Sequence, residues 1–141
     1  MKEELKKQLT RDEGVVEHAY QDHLGFWTIG VGRLIDKRKG GHLRAKEIDF
    51  LLENDIDDRI EALTKHLPWF TKLDEARQGV LLNMSFQMGV QGLLGFKNTL
   101  KMVETGQYEN AANGMLQSLW ARQTPERARR LSEQMRTGIW K

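Results

Sequence analysis

Between Leu43 and His66 the apolar residues Ile48, Leu51, Leu52, Ile56, Ile60 and Leu63 recur at helical spacing. Glu47, Asp49, Glu53, Asp57, Asp58 and Glu61 fill the opposite face. At about 1.5 Å per residue such a helix crosses most of a small domain. It must therefore lie along the whole fold or join two parts of it. The 141 residues suffice for one domain with one good core, or for two small lobes sharing this helix. Leu67-Pro68-Trp69 ends it.

The chain reads differently on its two sides. Before it, Leu5 and Leu9 mark a short helix with Gly14 placed as C-cap. A strand pattern follows: Trp27, Ile29 and Val31 share one face, and Phe26, Thr28, Gly30 and Gly32 the other. With His23-Leu24-Gly25 as the turn, this predicts a hairpin with one packed face and one left bare around Thr28. Lys37 to Gly41 reads as a loop. After the long helix, Ala76 to Met88 is apolar nearly all round, which predicts a buried central helix closed by Gly89. Asn98 can cap a helix ending at Gly106, another is expected from about Tyr108 to Leu116, and Thr124-Pro125 opens one through Arg130. The order is helix, small antiparallel sheet, long helix, helical bundle: an α+β chain with its strands near one end.

Composition removes several classes of function. Cysteine is absent, so no disulfide framework or thiolate chemistry is available. His18, His23, His42 and His66 lack metal-ligand spacing, and Gly30-Val31-Gly32 lacks the third glycine of a dinucleotide fingerprint. Asn83-Met84-Ser85 matches a glycosylation sequon but falls in the expected buried helix. Met1 to Lys7 is charged and lacks the apolar core of a secretory signal, and no stretch reaches membrane-spanning length. The net charge is +2, yet from Gly114 onward six Lys and Arg face only Glu126 and Glu133. That basic end suits an anionic polymer, or is simply a solvated helix face.

Among the 20 acidic residues Glu13 and Asp22 stand in unlike surroundings. Glu13 falls in the last turn of the first helix, where the dipole disfavours ionisation and partial burial would act the same way. Asp22 sits at the edge of a glycine-flanked hairpin, where water keeps a carboxyl ionised. Glycoside hydrolysis needs such a pair, one carboxyl to protonate the leaving oxygen and one to activate water or stabilise a cationic transition state.

Arg11-Asp12-Glu13-Gly14, Ala19-Tyr20-Gln21-Asp22 and Gly25-Phe26-Trp27-Thr28-Ile29-Gly30-Val31-Gly32 closely resemble the active-site stretch of the T-even phage lysozymes. Asn83 to Gly89, Gly95 to Leu100, Trp120, Gln123-Thr124-Pro125, Arg127-Ala128 and Arg136 to Trp140 continue the resemblance in order over nearly the whole chain. It implies a single lysozyme domain over 1–141. A small N-terminal lobe of about 12–50 would carry the hairpin, with helix 1 packing on the C-lobe. A connecting helix of about 43–66 would lead to a helical C-terminal lobe of about 67–141. The implied activity is that of an inverting muramidase cleaving the β-1,4 bond between N-acetylmuramic acid and N-acetylglucosamine, without cofactor or metal. Glu13 would be the general acid, Asp22 would orient or deprotonate water, and Thr28 would help position it. Inversion requires a carboxyl separation of roughly 6.5–9.5 Å. Gly30, Gln87 and Phe96 would contact substrate, although an internal cap serves Gln87 equally well. Arg127 would pair with Glu13, which lowers the pKa of that acid while holding it in place.

Two departures stand out. Arg33 replaces a family histidine, predicting an ion pair with Asp55 that stays charged through neutral pH. The stretch between Arg33 and the long helix is short, predicting a small lobe with a strand missing. The expected partner is the glycan strand of peptidoglycan, with no nucleic acid, no stable membrane association and a monomeric chain. A phage endolysin of this kind would be made in the host cytoplasm and reach the periplasm and wall through a phage membrane pore protein. Three rivals remain: a catalytically silent glycan-binding or regulatory module, which would not need Glu13, Asp22 and Thr28 together; a nucleic-acid binder using Arg122 to Arg136, which leaves the carboxyl pair unexplained; and a lytic transglycosylase, which would not need Asp22.

Overall fold

A computed structural model describes residues 2–31, 33–34 and 43–141, with the backbone but not the side chain of Glu13. The chain divides into two compact units, Met1–Leu52 and Glu53–Lys141, with the boundary inside the long helix. The fold is α+β, as expected.

In the first unit, α1 (Lys2–Glu13) carries Glu3 and Glu4 in its first turn, which complement the helix dipole, while its last turn sets Arg11 beside Asp12 and Glu13. It stops at Gly14, whose φ of +77° suits glycine and whose N–H donates to the Thr10 carbonyl at 2.9 Å. Strands β1 (Val16–Gln21), β2 (Trp27–Gly30) and β3 (Arg33–Leu34) form an antiparallel sheet in sequence order. Tyr20 pairs with Thr28 and Gln21 with Trp27, while the register shifts between Val16 and Tyr20. The expected loop at 37–41 and the shortened stretch argued to lack a strand lie outside the described residues.

The long helix α2 (Ala45–His66) spans nearly the predicted segment. Glu47, three residues after Arg44, reaches back to accept the Arg44 backbone N–H at 2.9 Å, the acidic half of a capping box. In the second unit follow a short 3-10 turn (Phe70–Lys72), α3 (Glu75–Leu94), α4 (Lys97–Glu104), α5 (Tyr108–Leu116), α6 (Leu119–Gln123) and α7 (Pro125–Thr137). Asp74 caps α3 by accepting the Arg77 N–H, and Ser118 caps α6 by accepting the Ala121 N–H. Helix α7 packs on α3, α5 and α6, and α4 packs on α5.

Four expectations change. Gly89 breaks α3 at φ 79°, ψ 163°, but the helix resumes to Leu94 because Val90, Leu93 and Leu94 still have a core to pack on. Phe96, not Asn98, holds the N-cap position of α4, with Asn98 inside the first turn. Helix α7 runs on to Thr137, since Leu131 and Met135 extend its buried face beyond Arg130. Helix α6 was not foreseen; its five residues are too few for a periodic pattern.

The core belongs to the second unit. Leu63, Phe70, Val80, Leu81, Met84, Leu93, Val103, Met115 and Met135 are each at most 1% exposed, and burying one such side chain contributes about 1.5–3 kcal/mol. Three of the buried polar side chains there find backbone partners: Gln134 Nε2 donates to the Ala76 carbonyl, and Ser85 and Ser132 donate to carbonyls three residues back.

Candidate active site

The first unit presents the hairpin turn. Asp22 follows β1 directly and Phe26 precedes β2 directly, so these two residues close the loop. The Asp22 N–H donates to the Phe26 carbonyl at 2.8 Å, and the Asp22 carbonyl accepts from Gly25 N–H at 3.0 Å. Gly25 has φ +86°, a conformation that glycine takes without strain. The side chain repeats this closure. Oδ1 of Asp22 accepts from the backbone N–H groups of Leu24 and Phe26, both at 2.9 Å. The Phe26 amide is the largest cause holding the carboxyl below its ordinary value, with Leu24 and the nearby His23 acting the same way against a smaller desolvation effect. Asp22 is therefore a carboxylate at neutral pH, with Gly25 a further backbone contributor to the lowering and Oδ1 the oxygen that takes both 2.9 Å bonds.

Thr28 lies two residues beyond Phe26, and its hydroxyl donates to the same Phe26 carbonyl at 3.1 Å. One carbonyl thus gathers the backbone of Asp22 and the side chain of Thr28. Both residues line an open recess of about 580 Å³ together with Tyr20, His23 and Leu34. The expected bare face around Thr28 is corrected here. Thr28 is only 5% exposed, whereas Trp27 and Ile29 across the strand are half-buried. The glycines beside Thr28 suggested openness, but alternation along one strand does not tell what covers a face. Gly30 ends β2 with φ +69°, and a Cβ there would meet nothing within 4 Å. Backbone conformation alone therefore accounts for a glycine at this position.

The backbone places Glu13 as the last residue of α1, where the sequence put it. Its side chain, and with it the expected carboxyl separation and pairing with Arg127, lies outside the described residues. Arg33 ion-pairs with Glu47 of its own unit, and Glu47 also receives Arg44 Nε at 3.1 Å. The expected partner, Asp55, belongs to the second unit, where its backbone carbonyl accepts from Arg59 Nη1. Glu47 had read only as one acid of a solvated face, but its position three residues into the helix aims it back at the residues before α2.

In the second unit Gln87 and Asn83 lie one turn apart on α3, and both find partners. The Trp120 indole Nε1 donates to Gln87 Oε1 at 2.8 Å. Because Trp120 is buried and Gln87 exposed, this bond fixes the amide with its NH2 group left over. Phe96 packs edge-on against Trp120, with centroids 6.3 Å apart and planes at 86°. Arg127 forks onto Asn83: Nε and Nη2 reach Asn83 Oδ1 at 2.9 and 2.8 Å, and Nη2 also reaches the Asn83 carbonyl at 3.3 Å. The sequence required partners for both polar residues of α3 but did not identify Trp120 and Arg127 as those partners. Their separations of 33 and 44 residues leave no local signal.

The phage lysozyme family model matches residues 10–135. The chain is 31% identical to "Probable T4-type lysozyme 1" of Dictyostelium discoideum over 95% of this chain and 94% of that protein. It is 32% identical to "Probable T4-type lysozyme 2" of the same organism, over 97% and 96%. It is also 31% identical, over 95% of its length, to 28% of the "Pre-baseplate central spike protein Gp5" of Enterobacteria phage T4.

Proposed function

From the premise that this chain belongs to the phage lysozyme family and is a lysozyme, a glycosidase acting on peptidoglycan, we propose that it is an inverting N-acetylmuramidase. It cleaves the β-1,4 bond between N-acetylmuramic acid and N-acetylglucosamine. The observation that carries the reading is the Asp22 carboxylate, held ionised by turn amides in a recess shared with Thr28.

In the proposed reaction Glu13, at the negative end of α1, carries a proton and gives it to the departing glycosidic oxygen. Water attacks the anomeric carbon from the opposite face and passes its proton to Asp22. A carboxylate held below its usual pKa is a weak base. Asp22 therefore orients the water and stabilises the developing positive charge, accepting the proton only as the new C–O bond forms. With Oδ1 committed to two amides, Oδ2 is the oxygen that faces the water. Thr28 helps place that water, and Gly30, Gln87 and Phe96 contact the glycan. The biological setting we propose is phage lysis: a monomer made in the host cytoplasm, released to the wall through a phage membrane pore protein.

The test is digestion of purified peptidoglycan by wild type and Glu13→Gln, with mass analysis of the new ends. Hydrated reducing muramic ends, and a mutant slowed at least about a hundredfold, are expected. Anhydro ends would replace hydrolysis with transglycosylation. No cleavage by wild type, or an unimpaired mutant, would overturn the enzymatic reading.

A further inference from the structure

Beyond the hairpin recess, the second unit has an open groove of about 370 Å³ between the segment after α2 and helix α4. Its walls are Leu67, Trp69, Leu94 and Leu100, and its rim is Lys97, Lys101 and Glu104. Trp69 is half-buried, packing on the core cluster while lining the groove. Its indole N–H has no hydrogen-bond partner among the described residues. Lys97 and Lys101 lie one helical turn apart, exposed, and form no ion pair among the described residues. Arg77, Arg127, Arg129 and Arg136, by contrast, are each committed to protein partners. An aromatic ring with one apolar and one polar side, next to uncommitted cations, is a surface built for a ligand with apolar faces and negative charge.

We propose that this groove is a second, non-catalytic binding site for peptidoglycan, resting on the lysozyme reading above. A pyranose presents a face of C–H bonds that stacks on the Trp69 indole, while its hydroxyl and N-acetyl oxygens accept from the indole N–H. Carboxylates attached to the strand are neutralised by Lys97 and Lys101, and Glu104 accepts from sugar hydroxyls. The groove is of small-ligand size and holds a short stretch of strand. A second foothold on an insoluble polymer raises the effective concentration of the first. It therefore acts on intact wall and leaves short soluble fragments unaffected.

The test measures two quantities for the full chain. One is the affinity of Glu13→Gln for insoluble sacculi by co-sedimentation; the other is the rate at which chains with native Glu13 hydrolyse a soluble muramyl oligosaccharide. Trp69→Ala and the double variant Lys97→Glu/Lys101→Glu are each expected to weaken sacculus affinity about tenfold, with Trp69→Phe restoring most of it. Soluble hydrolysis should stay within twofold in both. The lysine variant lies on exposed positions, so it tests the groove even if Trp69→Ala disturbs packing. Unchanged sacculus affinity in both variants overturns the proposal. A loss confined to the lysine variant also overturns it, leaving only non-specific polyanion attraction. Loss of soluble hydrolysis by the wild-type chain would instead strike the lysozyme reading, and the co-sedimentation result would still decide whether the groove binds wall polymer.

Discussion

Replacing Gly138 by alanine should destabilise this protein far more than the same change at Gly106, although both residues have positive φ, 71° and 78°. At Gly106 an added Cβ meets nothing within 4 Å, so only backbone strain applies, about 1–2 kcal/mol. At Gly138 the Cβ would lie 2.9 Å from Arg77 Nη1 and 3.1 Å from its Cζ. Arg77 cannot easily move. Its Nε donates to the Met135 carbonyl at 2.7 Å, Nη2 to the Arg136 carbonyl at 3.1 Å, and Nη1 to Asp74 at 3.0 Å. Its guanidinium also lies 3.6 Å from the centre of the Tyr108 ring. Losing even one charge-assisted bond adds about 1.5–3 kcal/mol, so Gly138→Ala should cost about 2 kcal/mol more than Gly106→Ala. Urea denaturation measures both, and a cycle with Arg77→Ala isolates the cause. In that background Gly138→Ala should fall to the Gly106→Ala cost. Equal costs in the native background, or an excess that survives removal of Arg77, would refute the argument.

Three further outcomes are expected. Phe70→Ala removes a ring only 1% exposed from the centre of the core and should cost about 3–5 kcal/mol, read as a lower urea midpoint. Asp22 has its pKa depressed below 3.8 in the folded chain, so its contribution to stability is complete above the unfolded value and is lost as pH falls through the folded one. Urea midpoints of wild type and Asp22→Asn should therefore differ at about pH 6 and converge by about pH 2; a gap constant with pH would contradict the turn-amide account. Trp120→Phe deletes the donor that fixes Gln87, and should raise KM for peptidoglycan several-fold while changing kcat little, whereas an equal fall in kcat would place the effect on the chemical step.

What the sequence made legible was local. Helix α2 announces itself through six apolar residues in phase, and α5 is found at its predicted bounds because Gly106 and the residues after Leu116 punctuate it. The turn after Asp22 was readable from His23-Leu24-Gly25, but the sequence ascribed the ionised carboxyl to water, whereas the Leu24 and Phe26 amides hold it. Failures came where the deciding contact was distant or tertiary. Thr28 is buried although Gly30, next on its strand face, carries no side chain, and Asn98 yields the cap to Phe96, whose ring is fixed against Trp120. Arg33 meets Glu47 because a capping geometry at the start of α2, not the charge pattern of its solvated face, aims that carboxylate.

The distribution of burial has a consequence for how the molecule opens and how it can change. Up to Leu52 only Thr28 is buried among the described residues, and every buried apolar residue among them lies at Leu63 or beyond. Amide exchange should therefore fall into two tiers. The hairpin amides should exchange through local opening events of small free energy, and those of α3 and α7 only through opening of the whole second unit. The segment that holds Asp22 draws few apolar contacts of its own, so insertions or deletions next to it leave the main reserve of stability intact. Sequence change around the Asp22 turn can then accumulate at one end of the chain, without renegotiating the packing that keeps the rest folded.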